Sequence, residues 1–537
     1  MEKSPAPGGE RAGHDGAAAV RAPAAAETLS AERVTSVESA QAAGAAGIEQ
    51  NMTVEQAFKR LFPGVMVTMF LAAADQTILA SALPSIASQL GGLADLSWVV
   101  VAYLLAATIA APLYGHLGDR FGRRRMLLAA LAIFTAASLG CALAPTLGAL
   151  VAARAVQGLG GGGLMTLAQS LIGESVPPRE RGRFSGYFAA VFALSSTSGP
   201  VLGAYLTEHV SWRAVFAINL PLGVIAAWLA LRIPQLAVKR EGRFKPDILG
   251  TVLFSASTLA FLFALSSAGH RLPWTSAVLW LLLLGAAAGY VALVFWERHV
   301  ADPVIPVGLL KLPAIARSDA VVVCFAGALF STILYLPLYL QLGRGLGIGA
   351  SGSLLLPTTL AMVATSTMIG RAIARTGRVN IYPRVGLALA TATFVTLAIC
   401  ISIAPTWLVL SMTVLIGVGL GMVMPPTQVV VQHAAGRAAL GAATGSISLS
   451  RSIGGAIGVA IVGAIVFAFL GNADPAVAAS LSKALEGGPE YVMQMSPAER
   501  ALLGTQLDHT FRVVFSTIAV MTGIGALLAG TIPKPQF

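Results

Sequence analysis

Charge is what this sequence has least of. Asp, Glu, Lys and Arg make up only 11% of its 537 residues, against 56% hydrophobic residues and a mean hydropathy of +0.78. A soluble domain carries about 25% charged residues. A soluble globular protein is therefore excluded, and repeated apolar runs of about 20 residues imply an all-helical, multi-pass membrane protein. Cysteine is also scarce: Cys141, Cys324 and Cys400 each lie inside an apolar run. That excludes a disulfide framework or a Cys-based metal set and leaves three small core residues. His116, His209, His270, His299, His433 and His509 sit at span ends or in loops without zinc spacing. Neither G-x-S-x-G nor C-x-x-C occurs. The run Gly158–Gly163 lacks the Gly-Lys-Ser/Thr of a phosphate loop and lies in an apolar span, so close helix packing is its expected role. No enzyme, no metal and no cofactor is expected.

What charge there is has a pattern. The net charge is +11. In a soluble domain this would suggest nucleic acid, but here the basic residues lie in short loops, which the positive-inside rule accounts for, and no nucleic-acid partner is expected. Fourteen spans are predicted: 62–86, 97–115, 126–144, 147–172, 184–206, 213–231, 247–267, 275–296, 316–341, 350–371, 381–403, 405–426, 441–470 and 511–531. Loops after even-numbered spans hold the Arg120–Arg125 and Lys239–Lys245 clusters, while the opposite loops hold Arg271, Arg344, Lys483 and Arg500. Both termini are thus expected in the cytoplasm. Trp98, Trp212, Trp274 and Trp407 fall near outer span ends, as an aromatic belt would. Residues 1–60 read as a disordered cytoplasmic tail, with a capping box at Thr53–Gln56 that allows a short interfacial helix before span 1. The extracellular loop 471–510 has helix-start signals at Asp474-Pro475 and Ser496-Pro497, which predict two short helices.

The hairpin Gly115-His116-Leu117-Gly118-Asp119-Arg120-Phe121-Gly122-Arg123-Arg124 has an echo. Gly115, Arg120, Gly122 and Arg123 match Gly370, Arg375, Gly377 and Arg378 at an offset of 255 residues. Gly199 and Gly203 match Gly454 and Gly458 at the same offset. Two six-helix bundles, 61–232 and 313–531, are therefore expected in parallel orientation, with the helix pair 247–296 inserted between them. Parallel six-helix repeats with a site at their interface belong to alternating-access transporters.

Few residues can carry chemistry. Asp119 is the acid that the second hairpin lacks, since Ala374 stands in its place. A carboxylate there can pair with an Arg or cap a helix N-terminus across the bundle interface, making Gly115, Gly118, Asp119, Arg120, Gly122 and Arg123 a candidate gate. Asp75 is the carboxylate well inside an N-half span and is expected to face a cavity and carry a proton. Arg154, with Gln157 one turn on, cannot lose its proton and so cannot carry one, but it can hold a carboxylate's pKa low, relay through water or order the backbone. Arg451 in span 13 is a third buried charge, with structural and functional roles equally open. Gly199, Pro200 and Gly203 interrupt span 5 and suggest a pliable seam between the halves.

With these residues in view, the chain resembles the 14-span drug:proton antiporter family of the major facilitator superfamily. Asp75-Gln76-Thr77-Ile78 with Pro84 resembles its first-span signature, and the Gly115–Arg124 hairpin the superfamily loop between spans 2 and 3. Arg154–Gly158 resembles the span-4 signature, Gly199-Pro200 with Gly203 the antiporter signature, and Trp212-Arg213 with Phe216, Asn219, Pro221 and Gly223 the start of span 6. The resemblance implies multidrug efflux by proton antiport, with Asp75 as proton and substrate site and Arg154 tied to proton coupling. Ser195 and Ala204 depart from the span-5 signature, and no carboxylate lies well inside the C-half spans; Asp319 sits near the start of span 9. That argues against dications and for neutral or monovalent lipophilic substrates. The expectation is a proton-coupled exporter of lipophilic compounds in the cytoplasmic membrane, functional as a monomer, with small lipophilic molecules, protons and the bilayer as partners. Export of an endogenous lipid or metabolite by the same fold is the alternative; a membrane sensor is a remote one.

Overall fold

Lipid offers no hydrogen bonds, so each apolar run must satisfy its own backbone, and the helix does this within a single segment. A computed structural model describes residues 54–90, 96–233, 247–268, 272–300, 303, 307–344, 346, 355–471 and 496–533. The residues Ala57–Phe537 form one compact unit; of Met1–Gln56, the described part is the first turn of α1. In order, the N-terminal helices are α1 (Val54–Leu90), α2 (Ser97–Phe121), α3 (Arg123–Ala142), α4 (Leu147–Ser175), α5 (Pro178–His209) and α6 (Ala214–Leu231, in two pieces). Next come α7 (Ile248–Ser267) and α8 (Ala277–Glu297), then α9 (Pro313–Leu342), α10 (Leu355–Thr376), α11 (Ile381–Cys400), α12 (Thr406–Ala435, in two pieces), α13 (Leu440–Gly471) and α14 (Pro497–Gly530). Each expected span falls on one of them. Eleven are long and apolar enough to cross a membrane; α4, α5 and α10 are as long but richer in glycine or polar residues, and the set is compatible with fourteen crossings.

Two cores form. One joins α1, α2, α3, α4 and α6 around Leu79, Cys141, Leu150, Trp212 and Phe216. The other joins α9 to α14 around Tyr339, Phe394, Phe511 and Phe515. They meet where α2 packs on α13 and α5 packs on α10. The inserted pair is peripheral. Only 17% of the apolar stretch of α8 is buried, against 67% for α1, and α7 touches the rest through α2 and α13.

Between apolar helices in lipid, association rests on close packing and polar contacts. The Gly158–Gly163 run supplies the first. A Cβ at Gly158 or Gly162 would overlap the α2 carbonyls of Tyr103 or Ala107, and one at Gly160 would meet Ala130 and Phe134 of α3. Helix α4 is thereby clasped between α2 and α3.

Three expectations need correction. The helix-start signal at Ser496-Pro497 opens α14 itself, not a separate short helix. No breaker stronger than Gly504 follows, and Leu507, Thr510 and Phe511 are buried, so the helix continues into the span. The signal at Asp474-Pro475 lies outside the described residues. The expected tail ends before residue 60, because α1 runs unbroken from Val54; residues 1–53 lie outside the described residues. Trp212 is not a belt residue: it is wholly buried in the N-terminal core, where its indole N–H donates to Gln89 Oε1 at 2.9 Å.

The packing of α4 generates a test. Gly162→Val drives a side chain into the α2 backbone, and overpacking of this kind destabilises by about 1–3 kcal/mol. Gly148→Ala enters open space in the same helix and serves as control. Thermal melting in detergent should fall for the first and hold for the second; equal melting of both would remove the clasp.

Candidate functional site

Arg154 is where the N-terminal helices converge. It is the eighth residue of α4, and Gln157, one turn on, shares its face. The Arg154 guanidinium is 1% exposed and Gln157 is fully buried. Arg154 Nη1 donates to Asp75 Oδ2 of α1 at 2.6 Å and to Gln157 Oε1 at 2.7 Å, and Nε donates to the Val99 carbonyl of α2 at 3.1 Å. Its flat face lies 4.2 Å from the centre of the Tyr103 ring, a cation–π contact. Asp75 is 2% exposed and receives two further donors on Oδ1: Gln157 Nε2 at 2.8 Å and Asn219 Nδ2 of α6 at 2.7 Å. Ser138 of α3 accepts from Gln157 at 2.8 Å and closes the network. Three donors and no acceptor face the Asp75 carboxylate, so its anionic form satisfies all of them. A proton placed there leaves one donor without an acceptor.

The structure brings Asp75, Arg154 and Gln157 together, but not at a cavity. The central cavity, about 490 Å³, lies between the halves and is lined on α1 by Met69, Ala73 and Thr77. These residues recur every four positions on one face. At 100° per residue, Asp75 falls 200° from Ala73, on the opposite side of the helix. The expectation that Asp75 faces a cavity fails for that reason.

Gly122 and Gly377, matched at the 255-residue offset, both turn their hairpins with positive φ, 94° and 67°, a region that favours glycine. At the first hairpin, Asp119 is 2% exposed and reaches the other half of the molecule. Its Oδ1 accepts the Gly441 N–H at 2.9 Å and its Oδ2 the Ala442 N–H at 3.0 Å, two of the open donors at the start of α13. Arg123 pairs with Asp119 and, at 2.6 Å, with Glu174 at the end of α4. A Cβ at Gly115 would overlap the Gly441 carbonyl, and one at Gly118 would press on Leu167. Arg120 lies in the last turn of α2, half-buried.

Gly199 and Gly203 pack elsewhere than expected. A Cβ at either would strike Thr77, Ile78 or Ser81, so they seat α5 on α1 within the N-terminal half, not against the C-terminal half. Pro200, between them, is exposed and α5 runs through it without a break. The contact of α5 with the other half lies at Gly186, whose carbonyl accepts from Thr367 Oγ1 of α10 at 3.3 Å. Arg451 lines the central cavity from α13. Asp319, the seventh residue of α9, is buried beside the Ser446 hydroxyl of α13.

Sequence reasoning placed neither Asn219, Ser138 and Tyr103 in the Asp75 network nor Glu174 and Gly441 at the hairpin. Asn219 and Ser138 are lone polar residues in apolar runs, a signal that was there to use. Gly441 carried none, because a capped N–H leaves no mark on the side chain.

The chain belongs to the Major Facilitator Superfamily: the family model matches residues 65–459. Among its relatives, an uncharacterized MFS-type transporter of Mycobacterium tuberculosis is 34% identical over 71% of this chain, which spans 55% of that protein's length. The multidrug transporter protein MdtP of Bacillus subtilis is 31% identical, with 71% of this chain and 70% of MdtP covered. The structure of the proton:xylose symporter XylE is similar with a TM-score of 0.60 and 14% identity, over 90% of this chain and 97% of that one. It shares the fold.

The hairpin generates a second test. Removing a cap costs about 0.5–2 kcal/mol, and one or two kcal/mol shifts a two-state equilibrium roughly 5–30-fold. In a cysteine-free background, Asp119→Ala should raise maleimide labelling of Ala442→Cys several-fold. Unchanged labelling would show that the α2–α13 contact does not depend on the cap.

Proposed function

We propose that this chain is a secondary active transporter that exports lipophilic, drug-like compounds across the cytoplasmic membrane in exchange for protons. In this reading the bundles 61–232 and 313–531 rock about one central cavity, with both termini in the cytoplasm and a single chain as the working unit. The observation that carries it is the buried Asp75–Arg154 pair. An ionised carboxylate and an arginine hidden in an intramembrane bundle are expensive, and such groups mark ion and substrate pathways. Family membership and the multidrug names of the B. subtilis relatives support the substrate class.

Asp75 is the proton carrier. In the described arrangement its carboxyl group is held by Arg154, Gln157 and Asn219. Loading a proton loosens this cluster, and Arg154 falls back on Val99 O, Gln157 Oε1 and the Tyr103 face, so the cation is never left bare. Asp119 and Arg123 latch the cytoplasmic ends of α2 and α13 in one conformation and release them in the other, biasing the rocking equilibrium. The drive is adequate: about 2.3 kcal/mol per charge per 100 mV, and about 1.4 kcal/mol per pH unit.

The test is transport by the purified full chain in proteoliposomes under an imposed pH gradient. Gradient-dependent efflux of a lipophilic dye is expected in wild type and its loss in Asp75→Asn. Coupling that survives Asp75→Asn would take the proton role from that residue, and efflux indifferent to the gradient would end the antiport reading.

A further inference from the structure

The central cavity is apolar with one charge. Its walls include Phe188, Phe192, Phe325 and Phe330, with Met165 and Met362 among its sulfur-bearing residues. Among the described residues, Arg451 is the one ionisable side chain on its lining. We propose that the cavity binds lipophilic anions, a carboxylate or sulfonate head on an aromatic or aliphatic body, and that Arg451 anchors the head.

Three observations carry this. First, Arg451 has no hydrogen-bond or ion-pair partner among the described residues, whereas the two other arginines central to the site are neutralised: Arg154 by Asp75, and Arg123 by Asp119 and Glu174. A guanidinium is always charged and offers a planar fork of donors that matches a carboxylate in two places. The role left open for Arg451, a structural cation bonding backbone carbonyls, finds no such carbonyl here. Second, its depth is right. Arg451 is the twelfth residue of α13, roughly 16 Å from the helix start, about halfway across a hydrocarbon core of about 30 Å. An acceptor-free cation at that depth favours an anionic occupant over water-poor apolar surroundings. Third, the counter-charge that a cationic substrate would need is absent from the lining. Asp75 lies behind α1, Asp319 is not a lining residue, and Asp508 of α14 accepts from Tyr339 outside the cavity.

The rest of the lining fits an amphiphile. The volume, about 490 Å³, lies in the range of small-molecule sites. Flexible Met side chains adapt to varied bodies. The Thr358 hydroxyl, also on the lining, has no partner among the described residues and can supply a second donor to the head group. Gln428 of α12 donates to Gln169 of α4 at 3.1 Å, a bond across the two halves at the cavity wall.

The inference rests on the transport reading and sharpens it. Expelling a monoanion while protons enter moves positive charge inward at any proton count, so the membrane potential drives the cycle. Expelling a monocation for one proton moves no net charge.

The probes are pyrenebutyrate and pyrenebutyl-trimethylammonium, which share an apolar body and differ in the sign of the head. Binding to the purified full chain is read by energy transfer from tryptophan. Wild type should bind the anion more tightly by about tenfold or more, the scale of a hydrogen bond to a charged group. Arg451→Gln should abolish the preference, and Arg451→Lys should keep part of it. Equal affinity of wild type for both probes, which needs no variant, would overturn the inference, as would a preference unchanged in Arg451→Gln. In proteoliposomes, pyrenebutyrate export should accelerate with a potassium diffusion potential negative on the side it leaves. Anion preference without gradient-driven movement supports the anion site and overturns the transport reading. Gradient-driven movement of the trimethylammonium probe without anion preference overturns the anion site and leaves the transport reading standing.

Discussion

A buried guanidinium that cannot be neutralised sets the terms for the N-terminal half. A guanidinium keeps its charge, so every acceptor Arg154 needs must be brought to it. Helix α1 supplies a carboxylate, α2 a carbonyl and a ring face, and α4 its own Gln157. Asp75 then needs more donors than Arg154 gives, and α6 provides Asn219. The glycines that follow Arg154 belong to the same requirement. Gly158 and Gly161 clear the backbone and hydroxyl of Tyr103, without which the ring could not lie over the guanidinium. Breaking one side of such a pair leaves an uncompensated charge and typically costs about 3–5 kcal/mol.

The two halves share a plan and differ in charge. Gly441 and Gly186, like Gly370 and Gly115, stand 255 residues apart, so the α2–α13 contact and the α10–α5 contact are repeats of one another. At the first, Asp119 caps the opposing helix; at the second, Ala374 has no carboxylate to offer and the bridge found is Thr367 to the Gly186 carbonyl. Gly199 and Gly203 seat α5 on α1, and Gly454 and Gly458 seat α13 on α9 through Val323 and Gly327. Each half thus carries its glycine seam internally, and the carboxylate cap stands at the α2–α13 contact. A neutral bridge on one side and a charged cap on the other make the two contacts unequal in strength.

The sequence was most legible where physics is local. Apolar runs mark the fourteen long helices, the Gly–Arg hairpins mark the matched turns at Gly122 and Gly377, and lone charges single out Asp75 and Arg154. Facing was harder. That Asp75 turns from the cavity follows from counting 200° from Ala73, but only once Ala73 is known to line it. The α14 start was misread because Ser496-Pro497 signals where a helix begins and says nothing of where it ends. Trp212 sat at a span end, and its full burial together with its hydrogen bond to Gln89 places it in the core and not in a membrane belt. Partners of backbone groups, such as the N–H of Gly441, have no side-chain signature at all.

The separation of Asp75 from the cavity constrains any coupling between them. Asp75 and the cavity do not touch in this arrangement, so a guest in the cavity does not reach that carboxylate. What joins the sites is shared helices. Helix α1 carries Asp75 on one face and Met69, Ala73 and Thr77 on the other. Helix α4 carries Arg154 and Gln157 toward one end and Met165 and Gln169 on the cavity. Thr77 itself donates to the Ser195 carbonyl of α5 at 2.9 Å, tying the cavity face of α1 to the helix that crosses to the other half. Loosening Asp75 from Arg154 and Asn219 removes polar ties of α1 to α4 and α6, while the Thr77 bond to α5 stays. A change of protonation would then be felt at the cavity as a shift of one wall, and a guest against that wall would feel the proton through α1 without touching it.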